Sequence, residues 1–141
     1  MKTTEKGDIG VIKIMDNLIN QGVIILTPFN TNLPFDFVAY ANNTFYRIQV
    51  KYRKLVNDNA LVIYATKAAI CNNHISRRKY DDDDFDVLAV YCPNTGVCYF
   101  IPKQIFHGRI ITLRFQKPKN NQKSKIKYAA DYVDFNKIVN S

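Results

Sequence analysis

The chain has 141 residues, 47% of them apolar, three cysteines and a formal net charge of +8. That is enough apolar material for one compact core and too little length for a second, so a single domain over residues 1–141 is expected. No apolar run approaches the ~20 residues of a membrane span, and the first residues lack the basic, apolar and small-residue order of a signal peptide, so a soluble cytoplasmic protein is expected.

The first helix is expected over Lys6 to Gln21, where Ile9, Ile12, Ile14, Met15, Leu18 and Ile19 recur at helical spacing and Gly22 suits the position past the end. Gly7 and Gly10 each weaken it by about 1 kcal/mol relative to Ala, a cost that points to close packing. Val23 to Thr27 reads as a strand. Leu33 to Tyr40 and Thr44 to Tyr52 read as two more, joined by a tight turn at Asn42-Asn43. Val56 to Asn59 is a turn, after which Leu61 to Thr66 is expected to return as a hairpin partner of Val50 to Leu55. Cys71 to Lys79 shows no clean period. Phe85 to Tyr91 and Val97 to Ile101 read as strands around a turn at Pro93 to Gly96. Pro102 to His107 allows a short helical turn, and Ile110 to Phe115 a final strand. Gln116 to Lys127 is polar and basic, and Ala129 to Val139 reads as a closing helix.

Charge is unevenly spread along these elements. Residues 101–141 carry nine basic and two acidic side chains, whereas residues 1–50 carry four of each. The skew points to a polyanionic partner, and to nucleic acid over a membrane because no basic amphipathic helix accompanies it.

Chemistry concentrates in two strands. Side chains alternate faces along a strand, so Gln49 and Lys51 share one side and Ile48 and Val50 the other, with Asp36 able to reach the side of Gln49 if the strands pair. A carboxylate, a carboxamide and an ammonium together could hold a divalent cation beside a phosphate. The same alternation is also what an ordinary half-solvated antiparallel sheet face shows. Asp81 to Asp84 resembles a metal site less than a solvated loop, because consecutive residues do not converge on one ion without an irregular backbone. Zinc bound by Cys71, His74, Cys92 and Cys98 would lack the usual ligand spacing. Cys92 and Cys98 read instead as opposed thiols of a hairpin, and an odd cysteine count argues against a disulfide framework. His74 and His107 have no nucleophile that spacing can nominate.

The Pro34-Phe35-Asp36 stretch followed by Gln49-Val50-Lys51 resembles the PD-(D/E)XK nuclease superfamily. Lys6-Gly7-Asp8-Ile9-Gly10, Leu33-Pro34-Phe35-Asp36, Gln49-Val50-Lys51-Tyr52, Ser76-Arg77-Arg78-Lys79-Tyr80, Phe85 to Tyr91, Tyr99-Phe100-Ile101-Pro102 and Ile111-Thr112-Leu113-Arg114 together look like the cyanobacterial homing endonucleases encoded in group I introns.

The resemblance implies an α/β, restriction-endonuclease-like core with a mixed central β-sheet flanked by helices. It also implies Mg²⁺-dependent hydrolysis of a long double-stranded DNA target. Asp36 and Gln49 would ligate the metal, Gln49 standing where most of the superfamily has Asp or Glu, and Lys51 would orient water and stabilise charge on the phosphate. Where the family's first helix continues with a metal-reaching glutamate, this chain has Val11, which cannot ligate; Asp8 lies about one turn earlier. A slow or inactive enzyme is therefore expected. DNA contacts are expected from Arg53, Lys54, Lys67, Arg77, Arg78, Lys79, Arg114 and Lys117. A single site cuts one strand, so a homo-oligomer, dimer or tetramer, is expected. The alternatives are a Holliday junction resolvase-like nuclease and a non-catalytic DNA-binding module.

Overall fold

The computed structural model describes residues 1–64, 66–71, 74–79, 83–106, 110–116 and 126–140, with 66–71 and 74–79 described by backbone alone. Helix α1 (Thr3–Asn20) starts before the expected Lys6, because the Lys2 N–H finds an acceptor in Glu5 Oε2 at 3.2 Å. Gly22, at φ +82°, ends it as expected.

Strands β1 (Ile24–Leu26), β2 (Phe37–Ala41) and β3 (Thr44–Tyr52) form an antiparallel meander. The turn between β2 and β3 uses Asn42 and Asn43, both at positive φ (54° and 60°), as a two-residue hairpin turn demands. β2 begins at Phe37 and not at Leu33, since Pro34 has no N–H to give a ladder.

β3 then pairs in parallel with β7 (Val87–Cys92), and β7 pairs antiparallel with β8 (Val97–Pro102). The result is a mixed five-stranded sheet in the order β1-β2-β3-β7-β8. The hairpin expected between Val50 to Leu55 and Leu61 to Thr66 does not form. Instead β4 (Ala60–Tyr64) pairs with β9 (Ile110–Arg114), and β10 (Lys127–Tyr128) adds a third strand in parallel, so β9 is not the last. The turn itself is present, with Asn57 and Asp58 at positive φ and Val56 bridged to Ala60, but it delivers the chain to another sheet. The stretch without a clean period, Cys71 to Lys79, supplies β6 (His74–Lys79), which pairs as a hairpin with the preceding β5 (Thr66–Cys71).

Two apolar clusters lie on opposite faces of the five-stranded sheet, and β7, buried along its whole length, feeds both. Val87, Ala89 and Tyr91 join Ile14 and Leu18 of α1 and Phe135 and Ile138 of α2 (Phe135–Val139). Leu88, Val90 and Cys92 join Leu61 and Ile63 of β4 and Ile111 and Leu113 of β9. The period of two along each strand therefore sorts one sequence into two cores.

The same alternation corrects the reading of the thiols. Cys98 lies opposite Tyr91, and Cys92 opposite Val97. Cys98 packs with the α1 cluster and Cys92 with the other, so the two point through opposite faces and share neither a disulfide nor a zinc ion. The closing helix is also shorter than expected. Ala129–Tyr132 is a 3-10 turn, and Asp134 caps α2 by accepting the Lys137 N–H at 3.2 Å. Asp134 is extended, and an extended cap residue interrupts the helical run. Lys103–Ile105 forms the short helical turn expected after β8.

Candidate active site

The centre of the site is the junction where the chain enters β2 against β3. The Asp36 N–H donates to the Ile48 carbonyl at 2.8 Å, and its carboxylate Oδ2 accepts the Val50 N–H at 2.7 Å. Asp36 is thus fixed by β3 at both ends while lying at the surface. Loss of hydration around the carboxyl raises its pKa above the usual carboxylate value; the Val50 N–H and the Lys51 charge act in the opposite direction without cancelling that effect. The carboxylate is held in place, short of hydration, and near one cation.

Gln49 and Lys51 are both half-buried on β3, in register with Leu88 and Val90 of β7, while Val50 turns to α1. Gln49 follows directly on Ile48, the residue that accepts the Asp36 N–H. Asp36 is thus bonded to the β3 backbone on either side of Gln49, with the Lys51 charge acting on its carboxylate.

Helix α1 reaches this place through Gly10. A Cβ at Gly10 would lie 3.3 Å from Val50 Cγ1 and 3.6 Å from Tyr52 Cβ, so the helix meets β3 only because position 10 is glycine. Val11, one residue on, is half-buried against the α1 cluster and supplies no donor. Asp8 is exposed one turn earlier. Among the described residues, no three His, Cys, Asp or Glu side chains converge. Among the described residues, the side-chain oxygens expected to bind a cation at the centre are the Asp36 carboxylate and the Gln49 amide carbonyl. Such hard donors fit a small divalent cation that keeps most of its water and takes the rest of its ligands from a substrate phosphate.

Beside the centre runs a groove of about 480 Å³ between α1 and the end of β3, lined by Lys6, Gly7, Lys51, Tyr52, Arg53 and Lys54 among others. It gathers two of the expected DNA contacts, Arg53 and Lys54, next to Lys51. Arg114 is exposed on β9, opposite Ala60, in the other sheet. Lys67, Arg77, Arg78 and Lys79 lie on the β5–β6 hairpin, where Lys67 is in register with Arg78; their side chains lie outside the described residues, as does Lys117. Asp81 and Asp82 do too, whereas Asp84 is buried and Asp83 offers its carbonyl to Arg47.

Sequence reading missed an ion network at Arg47, the residue that precedes Ile48 on β3. Arg47 meets Asp86 through Nε at 3.1 Å and NH2 at 3.0 Å, its own N–H donates to the same carboxylate at 2.8 Å, and Lys103 Nζ stands 3.7 Å away. Burial pushes the Asp86 pKa up, but the side-chain and backbone hydrogen bonds from Arg47 outweigh it, and the net shift is downward. The available signal was Arg47 itself, two residues before Gln49 on the same strand. Lys6 and Gly7 were missed as groove residues although their motif had been singled out.

The PD-(D/E)XK endonuclease family model matches residues 1–135. No curated protein matches the chain. The structure is similar to that of a bacterial homing endonuclease, I-Ssp6803I, with a TM-score of 0.78 and 22% identity over 99% of this chain and 93% of that one. Among the described residues, no helix is long and apolar enough to cross a membrane. With the match running through nearly the whole chain, the protein belongs to the PD-(D/E)XK endonuclease family.

Proposed function

We propose that the chain is one nuclease domain over residues 1–141, working in the cytoplasm as a homing-type endonuclease that hydrolyses phosphodiester bonds in a long double-stranded DNA target with Mg²⁺. The observation that carries this reading is the Asp36 carboxylate, pinned by the Val50 N–H at 2.7 Å beside Lys51 and short of hydration. Asp36 and Gln49 would hold the cation. When bound, it supplies positive charge to the scissile phosphate and acidifies water.

The remaining work falls to the chain. Val50 orients Asp36 through its N–H, and Lys51 directs a water at phosphorus and offsets charge gathering on the phosphate oxygens. The water oxygen bonds to phosphorus as the bond to the departing sugar oxygen breaks; the water gives up a proton to solvent and the departing oxygen takes one from solvent, leaving a phosphomonoester and a sugar hydroxyl. Arg53 and Lys54 hold the duplex by its backbone, and Arg114, Lys117 and the hairpin bases Lys67, Arg77, Arg78 and Lys79 extend that contact. Since one centre cuts one strand, a dimer or tetramer delivers the double-strand break, and sedimentation of monomer alone on the DNA would refute the assembly.

Val11 weakens the site by leaving Asp36 as the sole acidic ligand. The test is Mg²⁺-dependent cleavage by the chain beside Val11→Glu, with the variant expected to be faster; equal activity would sink the assignment of position 11. The same Val11 favours a second reading, a DNA-binding module that does not cut. Tight binding without cleavage under any divalent ion would support it.

A further inference from the structure

Helix α1 carries two glycines three residues apart, and among the described residues only Gly10 has a close neighbour that calls for it. Gly10 lets the helix touch Val50 and Tyr52. A Cβ at Gly7 would meet no atom of the described residues within 4 Å. Gly7 has ordinary helical geometry, so no turn requires it. Glycine inside a helix is less stable than alanine, and no contact among the described residues offsets that loss.

The space that Gly7 leaves open belongs to the groove beside the candidate centre, whose lining includes four cationic residues, Lys6, Lys51, Arg53 and Lys54, and no acidic one. Glu5, also on α1, turns back to the Lys2 N–H instead. A groove of about 480 Å³ with cationic walls and an absent side chain at its rim suits a compact anion attached to a longer chain.

We propose that this groove seats a backbone phosphate of the DNA strand flanking the scissile one, held by Lys6 and Lys54, with Gly7 kept bare so that the strand can approach the helix. The proposal rests on the nuclease reading above. It gives the Lys6-Gly7 pair a role distinct from Asp36, Gln49 and Lys51: the pair positions substrate and performs no chemistry. Such a contact reads no bases, so its loss weakens binding to every duplex alike.

The test uses the full chain, a fluorescently labelled random-sequence duplex and chelator to prevent cleavage, with affinity followed against salt. Gly7→Ala should raise Tm by about 3 °C, because a helix gains from alanine, while weakening DNA binding roughly tenfold. Lys6→Gln should lower the slope of log affinity against log salt by about 0.9, the share of one phosphate. If Gly7→Ala binds like the parent, or Lys6→Gln keeps the parent's slope, the groove assignment is overturned while the nuclease reading stands. A lowered Tm in Gly7→Ala also overturns it, since protein atoms would then fill the space. A parent chain with no salt-dependent affinity for duplex overturns both.

Discussion

Two carboxylates are tied to the middle of β3, Asp86 at Arg47 and Asp36 at Ile48 and Val50, and their surroundings act on them in opposite directions. Asp86 receives three hydrogen bonds from Arg47 and has Lys103 nearby, and its pKa falls. Asp36 receives one backbone N–H, feels Lys51 at longer range, and its pKa rises. Asp86 has its counter-charge inside the fold and joins β3 to β7: its N–H also donates to the Arg47 carbonyl at 2.9 Å. Asp36 is given rigid placement without full compensation, which is the condition of a group whose charge awaits an external partner. Partnering, more than burial, separates the structural carboxylate from the one proposed to act on substrate.

The sharpest way to break that comparison is to neutralise each. Asp36→Asn is expected to cut divalent-ion-dependent cleavage at least ~100-fold while leaving Tm unchanged or slightly raised, because the amide oxygen can still accept the Val50 N–H and no desolvated charge remains. A large loss of Tm in that variant would place Asp36 with the structural group. Val11→Glu restores a second carboxylate and is expected to raise the cleavage rate roughly tenfold, measured on a plasmid under saturating Mg²⁺.

Asp86→Asn should act on stability instead. Removing the charge from a partly buried pair that keeps its Arg47 costs about 2 kcal/mol, read as a lower urea midpoint with duplex affinity nearly unchanged. The smallest effect is in pH. Asp86, with a folded pKa below 3.8, contributes stability that is complete above 3.8 and lost as pH falls through the lowered value. Asp36 behaves oppositely: its folded pKa lies above 3.8, so its ionised form costs stability above that raised pKa, and the carboxylate needed for the cation disappears as pH falls through it. Acidification should therefore abolish divalent-ion binding, followed by calorimetry, before it unfolds the chain; the reverse order would contradict the assignment of the two shifts.

Local rules made much of this legible. Asn42-Asn43 announced the β2–β3 turn, Gly96 (φ +68°) the β7–β8 turn, and the alternation of Ile48, Gln49, Val50 and Lys51 the two faces of β3. The site's three side chains came from that alternation together with the family motif. What stayed hidden depends on contacts distant in sequence. Nothing around Leu61 encodes its pairing with Leu113, and nothing around Gln49 encodes the parallel neighbour Leu88. A hairpin to the nearest strand was the natural expectation, and the chain instead used β4 to build the second core. The β5–β6 hairpin escaped because its basic run obscures a period of two. Gly7 and Gly10 look alike in sequence; only the surroundings show that Gly10 meets β3 while Gly7 meets none of the described residues.

The most direct test of the central claim is plasmid cleavage in Mg²⁺ and in chelator, by the chain and by its Val11→Glu variant, each with Asp36 intact or changed to Asn and each checked for equal DNA binding. The account predicts cleavage only with Mg²⁺ and only with Asp36, faster in the Val11→Glu background. Cleavage that survives Asp36→Asn, or that proceeds equally well in chelator, would contradict it.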